Sequence, residues 1–369
     1  MHKLAMILQT IWRSEQNAYP RIQAALKLVS GLYTAWMRLR VHAYRLRLRP
    51  VHKLPCFVIS IGNLSVGGTG KTPLTLWLAA RLTAHGYRVV VISRGYRGRL
   101  ERQGGVVSDG RSILADVKDS SDEPQILARL LKGVPVIVGG NRYLAGQRAV
   151  QQFNPDVILL DDAFQHLKLH RDLDIVLLDC KRPFGNGYTL PAGELREPPR
   201  ALLRGHAAIM TRCPPDRAVV DRTRREVAGR IGGPVYESRH VAVIRDVIPA
   251  EGVRPSEDPL TGRRVFAFSG VAKNDEFLYT LSDFNCEVAG SQQFSDHHFY
   301  TDNDLATIRR EAARLNVDCI VTTEKDYVKV SPTARWTADL VVLGIDISFG
   351  DDTKRFRDFL ENRIQIGTN

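Results

Sequence analysis

The stretch CFVISIGNLSVGGTGKTPLTLWLA, Cys56 to Ala79, decides how the chain is read. A β-rich run, CFVISI, leads into SVGGTGKT, and an apolar helical pattern follows. Strand, Gly-rich turn and helix are the context of a phosphate-holding loop. Gly67, Gly68 and Gly70 let backbone N–H groups turn inward around phosphate oxygens without Cβ clashes. The following helix points its positive end at the same anion. The candidate cradle is therefore Ser65, Val66, Gly67, Gly68, Thr69, Gly70, Lys71 and Thr72. Lys71 would reach the β- and γ-phosphates, and Thr72 would ligate Mg²⁺. Ser65 stands where the usual pattern has its first Gly. An ordinary Gly-rich turn would give Lys71 and Thr72 no packing reason to be there.

Such a loop needs an acid to hold its metal. VILLDDAFQH supplies two, Asp161 and Asp162, after four apolar residues. Acids at the carboxyl end of a strand sit in the crevice where open α/β sheets bind ligands. Other buried-strand candidates are RVVVIS (88–93), PVIVG (135–139) and DIVLLD (174–179). Near-continuous Val, Ile and Leu runs predict a parallel sheet covered by helices on both faces. A Pro- and Gly-rich loop spans Arg182 to Arg204. A second set follows: RVFAFSG (264–270), DCIVTTEKD (318–326) and LVVLGIDI (340–347). The expected architecture is α/β: a P-loop NTPase-like, mainly parallel sheet with flanking helices over 51–212, and a second, smaller α/β domain over 213–369. The boundary falls somewhere in 205–240.

The 369 residues carry a net charge of +12. Residues 1–50 hold nine Lys or Arg against a single acid, Glu15, and so most of that excess. Read as one helix, 24–46 places Ala25, Leu28, Val29, Leu32, Trp36 and Leu39 on one face. Lys27, Arg38 and Arg45 cluster elsewhere, while Arg40 lands on the apolar side. This pattern fits a helix lying in an anionic membrane interface; it also fits a helix packed on its own domain. The charge is interleaved with a coherent apolar stripe, which argues against nucleic acid. No apolar run is long enough to span a bilayer. LAMIL (4–8) is too short for a signal-peptide core, so an intracellular protein is expected. Five scattered cysteines with no C-x-x-C pair suggest neither a disulfide framework nor a thiolate metal site.

Two further groups stay open on spacing alone. Asp122 and Glu123 precede Pro124 and an apolar helix, so Asp122 reads as a helix cap. Asp296, His297 and His298 in FSDHHFYT offer a base, a metal ligand or plain loop residues.

Eight motifs occur in order: GNLSVGGTGKTP, SRGYRG, SDEP, GGNR, LLDDAFQH, LPAGELREP, FSDHHFY and TTEKDYVK. So arranged, from about residue 50 to 330, the chain resembles the tetraacyldisaccharide 4′-kinase family. Ala163 replaces the Gly usual in DDGFQH. The resemblance implies a two-domain kinase at the cytoplasmic face of the bacterial inner membrane. It would move the γ-phosphate of ATP onto the 4′-hydroxyl of an acylated glucosamine disaccharide 1-phosphate, giving lipid IVA. It further implies Asp122 as general base, His297 as its partner and Asp161 and Asp162 at the metal. Arg142 would face the transferring phosphate, and Glu197 would join the metal on closure.

The rival expectation is a membrane-associated P-loop ATPase or GTPase of the partitioning or metal-insertion type. Those loops carry a second Lys before the paired glycines, and Val66 stands there. A non-catalytic nucleotide-binding adaptor is the other alternative, and it needs no Asp122.

Overall fold

The structure, a computed structural model, describes residues 12, 20–250, 258–330 and 333–368. The LAMIL segment and most of the arm before Pro20 lie outside the described residues.

Every strand anticipated from an apolar run forms. β1 (Phe57–Asn63), β2 (Val89–Ser93), β4 (Val136–Val138), β5 (Val157–Asp161), β6 (Leu173–Asp179) and β7 (Ala207–Thr211) are parallel neighbours. With β3 (Gly105–Ser108) and β8 (Val235–Glu237) they form an eight-stranded sheet in the order β3-β4-β2-β5-β1-β6-β7-β8. Only β3 runs antiparallel, at the edge. β1 and β5 are buried at every position, because helices cover both faces. The phosphate-loop strand β1 lies directly between the acid-bearing β5 and β6. This brings the turn after β1 and the acids after β5 to one edge.

The second sheet has five strands in the order β11-β10-β12-β13-β9. They are β9 (Arg239–Ile248), β10 (Arg264–Ser269), β11 (Glu287–Gln293), β12 (Cys319–Thr323) and β13 (Asp339–Ser348). The expected strand at 318–326 stops at Thr323. There the Thr323 hydroxyl accepts from Asp326 N and starts a helical turn.

The expected boundary at 212/213 is corrected by the pairing. β8 hydrogen-bonds to β7, so the first sheet continues to Glu237. The C-terminus also returns to it. The last helix, Asp352–Thr368, sends Phe356, Leu360 and Ile364 into the core that holds Ile59, Leu74 and Leu78. Trp77 stacks on Phe356 with ring centroids 5.5 Å apart. The second sheet is thus an insertion between β8 and that helix.

The arm forms helix α1, Pro20–Arg45. Its buried residues are Ser30, Met37 and Tyr44, seven apart and so on one face. The opposite, apolar stripe is bare: Leu28, Leu32 and Leu39 are 70%, 68% and 68% exposed. Packing on the domain therefore uses the face of Ser30, Met37 and Tyr44, not the leucine stripe. Ser30 Oγ and Thr34 Oγ1 both meet Thr189 Oγ1, at 2.9 and 2.8 Å. Arg40 leaves the stripe and donates to Gln165 O at 3.0 Å.

Candidate active site

The loop after β1 builds the site. Gly67 and Gly70 take positive φ, +108° and +86°, which only glycine adopts without strain. Helix α2, Lys71–Ala84, starts at Gly70 with no side-chain cap, so its first N–H groups face the loop. The Thr69 hydroxyl is buried without a partner, as is fitting for a group that waits for a ligand. The proline-rich segment steadies the loop from outside: Val66 N donates to Glu194 O at 2.7 Å, and Arg196 N to Leu64 O at 2.6 Å.

Lys71 is 9% exposed, and its Nζ lies 3.6 Å from Asp162 Oδ1. Arg196 clamps the same carboxylate at 2.9 and 3.0 Å. Burial opposes the charge on Asp162, but Lys71 and Arg196 outweigh it and hold the carboxyl below its usual range. Asp161 is fully buried at the strand end, 3.4 Å from Thr75 Oγ1 and from Ser93 Oγ. Burial and the charge of Glu123 push it up to about 7, with Lys71 pulling the other way. One acid is thus kept charged and its neighbour waits for a cation. Two adjacent strand-end carboxylates make a hard oxygen donor set, which suits Mg²⁺. Ala163 is buried and fits, because the left-handed residue of this turn is Asp162, φ +51°.

Arg142 opens helix α4, Arg142–Phe153, which follows the short helix α3, Asp122–Leu130. It is 3% exposed, donates to Gly139 O at 2.7 Å and leaves its Nε unpartnered. Burial pushes its guanidinium down to about 10, while Asp161 and Asp162 pull it back up.

Asp122 is the first residue of α3 rather than its cap; Ser121 precedes it at φ +73° and makes no capping bond. Its carboxylate is buried and pairs with the second domain: His297 Nδ1 lies 2.9 Å from Asp122 Oδ2. His298 is occupied elsewhere, 3.0 Å from Asp304 in the capping box of the helix Asp302–Arg314. The structure thus separates the two histidines that spacing left equal. Glu197 does not meet the other acids; both its oxygens are held by Arg204 at 2.7 and 3.0 Å.

Sequence reasoning did not single out Arg196, Lys325 or His240. The first two lie inside quoted motifs, so their signal was present. His240 had none: it reaches from β9 to touch the P-loop where a Gly70 Cβ would stand. Arg212 joins it there, donating to Gly68 O and, at 2.8 Å, to Asp179.

A parallel sheet with a glycine loop, buried lysine and paired strand-end acids defines a P-loop nucleoside-triphosphate-binding protein. The comparisons narrow this. The family model described as tetraacyldisaccharide-1-P 4′-kinase matches residues 22–365, and the chain belongs to that family. It is 38% identical to the tetraacyldisaccharide 4′-kinase of Desulfatibacillum aliphaticivorans, with all of both chains covered. Against the enzyme of that name from Pelobacter propionicus it is 41% identical, covering 97% of this chain and 99% of the relative. Among solved structures it resembles LpxK from Aquifex aeolicus in complex with ATP: TM-score 0.73, 28% identity, 93% of this chain and 99% of the other.

Proposed function

We propose that this protein moves the γ-phosphate of ATP onto the 4′-hydroxyl of a tetraacyldisaccharide 1-phosphate. The observation that carries this beyond nucleotide binding is the buried Asp122 carboxylate paired with His297 at the domain contact. An ATPase that only switches has no use for a positioned base there. Family membership likewise disfavours the partitioning or metal-insertion reading.

The chemistry follows from the residues. A sugar hydroxyl is a weak nucleophile, so a carboxylate at Asp122 accepts its proton as the new P–O bond forms. His297 orients that carboxylate and shares the proton's charge. Lys71 and Arg142, both buried, spread the charge on the transferring group. Thr72, Asp161 and Asp162 would hold Mg²⁺, which would supply charge neutralisation at the phosphates. Glu197 joins this group only if Arg204 releases it on closure.

The acceptor is an amphiphile, and the bare stripe of α1 offers it an approach. No described helix is long and apolar enough to cross a membrane. The helix instead suits the plane of an anionic interface, leucines down, at the cytoplasmic face of the inner membrane. The deciding experiment incubates the purified protein with γ-labelled ATP and the disaccharide 1-phosphate lipid. A doubly phosphorylated lipid is expected. ATP hydrolysis with unlabelled lipid would overturn the assignment.

A further inference from the structure

Two side chains of the second domain, His297 and Lys325, face Asp122, and so far only His297 has a role. Lys325 stands on the helical turn Glu324–Tyr327, the TTEKD segment. Its Nζ lies 3.8 Å from Asp122 Oδ2 and 2.9 Å from Asp296 Oδ1. Asp296 also reaches back to His297, with Oδ2 3.7 Å from Nε2. One carboxylate therefore spans both groups that face Asp122.

The arrangement is more than surface ion pairing. Asp122 is 5% exposed, and a cation beside a buried carboxylate governs whether it stays charged. Both contacts fall on Oδ2, so Oδ1 is left for an acceptor. At 3.8 Å the lysine acts as a point charge and takes no lone pair from the base.

We propose that Lys325, anchored by Asp296, is a positioning residue for Asp122: it holds the carboxylate ionised and aimed at the acceptor hydroxyl when the two domains meet. The proposal rests on Asp122 being the base. Burial drives Asp122 toward its neutral form, but the His297 hydrogen bond and then the Lys325 charge outweigh it. Lys329 adds a weaker positive charge from the same domain, and Glu123 on the helix of Asp122 adds a negative one. Burial likewise disfavours charge on Lys325, yet Asp122 and Asp296 hold it cationic. The first domain carries the base, and the second carries what keeps it competent. Separating the domains would switch the base off without moving it from its helix.

The test compares wild type with Lys325→Met, Lys325→Arg, Asp296→Asn and Asp122→Asn. It reads kcat, the KM values for ATP and lipid, and melting temperature across the acid and neutral range. Lys325→Met should lower kcat on the order of tenfold near neutrality and move its acidic limb up by about one pH unit or more, as expected when a neighbouring opposite charge is lost. KM for ATP and the melting temperature should stay near wild type, and raising the pH should recover much of the rate. Lys325→Arg should rescue most of it; Asp296→Asn should show the same shift, smaller. A wild-type profile in Lys325→Met would overturn the proposal. So would a loss equal at every pH, accompanied by a lower melting temperature and not rescued by Arg, since that is the mark of a structural pair. Full activity in Asp122→Asn would remove the underlying base as well. An inactive Asp122→Asn beside a normal Lys325→Met would remove the positioning role alone.

Discussion

Lys71 and Thr72 do different work in one turn, and their loss should look different. Lys71→Ala removes a buried cation facing Asp162 and should cost on the order of 10²–10³ in kcat. Thr72→Ala should be milder at saturating Mg²⁺ and worsen as the metal is diluted. Steady-state kinetics over a Mg²⁺ titration checks both, with circular dichroism showing the fold intact. A second residue-scale effect concerns acid stability. Burial, reinforced by Arg212, lowers His240 to about 4, and burial lowers His166 to about 4 too. An unfolded histidine binds its proton near 6.5, so below that pH the unfolded chain takes up protons that the native chain refuses. Stability held above pH 6.5 is therefore lost as pH falls toward 4, at no more than about 1.4 kcal/mol per pH unit for each histidine. His240→Gln should reduce that slope in denaturant titrations, leaving His166 and His206, which burial also lowers, to carry the rest. At this scale the sequence was readable where residues sit in a spaced motif. It was silent on His240, whose partner at Gly70 is set by tertiary packing. Spacing was equally silent on which of two adjacent histidines turns inward, and only the family resemblance pointed to His297.

Elements with continuous Val and Ile runs were legible because both faces of such strands are buried. β3, β7 and β8 were not anticipated, and neither were β9 and β11. β11, EVAGSQQ, carries no apolar signature, and β9, RHVAVIRDVI, has an apolar run broken by charges and no fully buried position. The arm was legible as a helix but not as to which face it packs, since a hydrophobic stripe looks alike against protein or lipid. The docked side is fastened by the Ser30–Thr189–Thr34 cluster. Leu32→Gln with Trp36→Gln should therefore weaken co-sedimentation with anionic vesicles while leaving the melting temperature unchanged. Ser30→Val should do the reverse, lowering the melting temperature because Thr189 loses a buried partner, at about 1–3 kcal/mol. A drop in stability from the leucine variant would show that its stripe is packed after all.

The two-domain plan was legible at the scale of the whole molecule, but its boundary was not. Sequence order cannot announce that the last helix belongs to the first core. Phe356 is fully buried there, against Trp77 and Tyr236. Phe356→Ala should cost about 3–5 kcal/mol and lower ATP binding through the helix that carries Lys71, measurable by urea titration with and without nucleotide. The equivalent loss in an isolated second-sheet core position, such as Phe268, should leave nucleotide protection intact. The returning helix also has a meaning for how the protein is made. On a ribosome the phosphate-binding loop emerges early, yet an apolar side of its core stays uncovered until the helix Asp352–Thr368 has been synthesised. The inserted half can finish first, with its own sheet complete at β13. The segment that seals the catalytic half is thus made after the inserted half, and a product that stops short of it leaves a sticky, incomplete kinase rather than an active one.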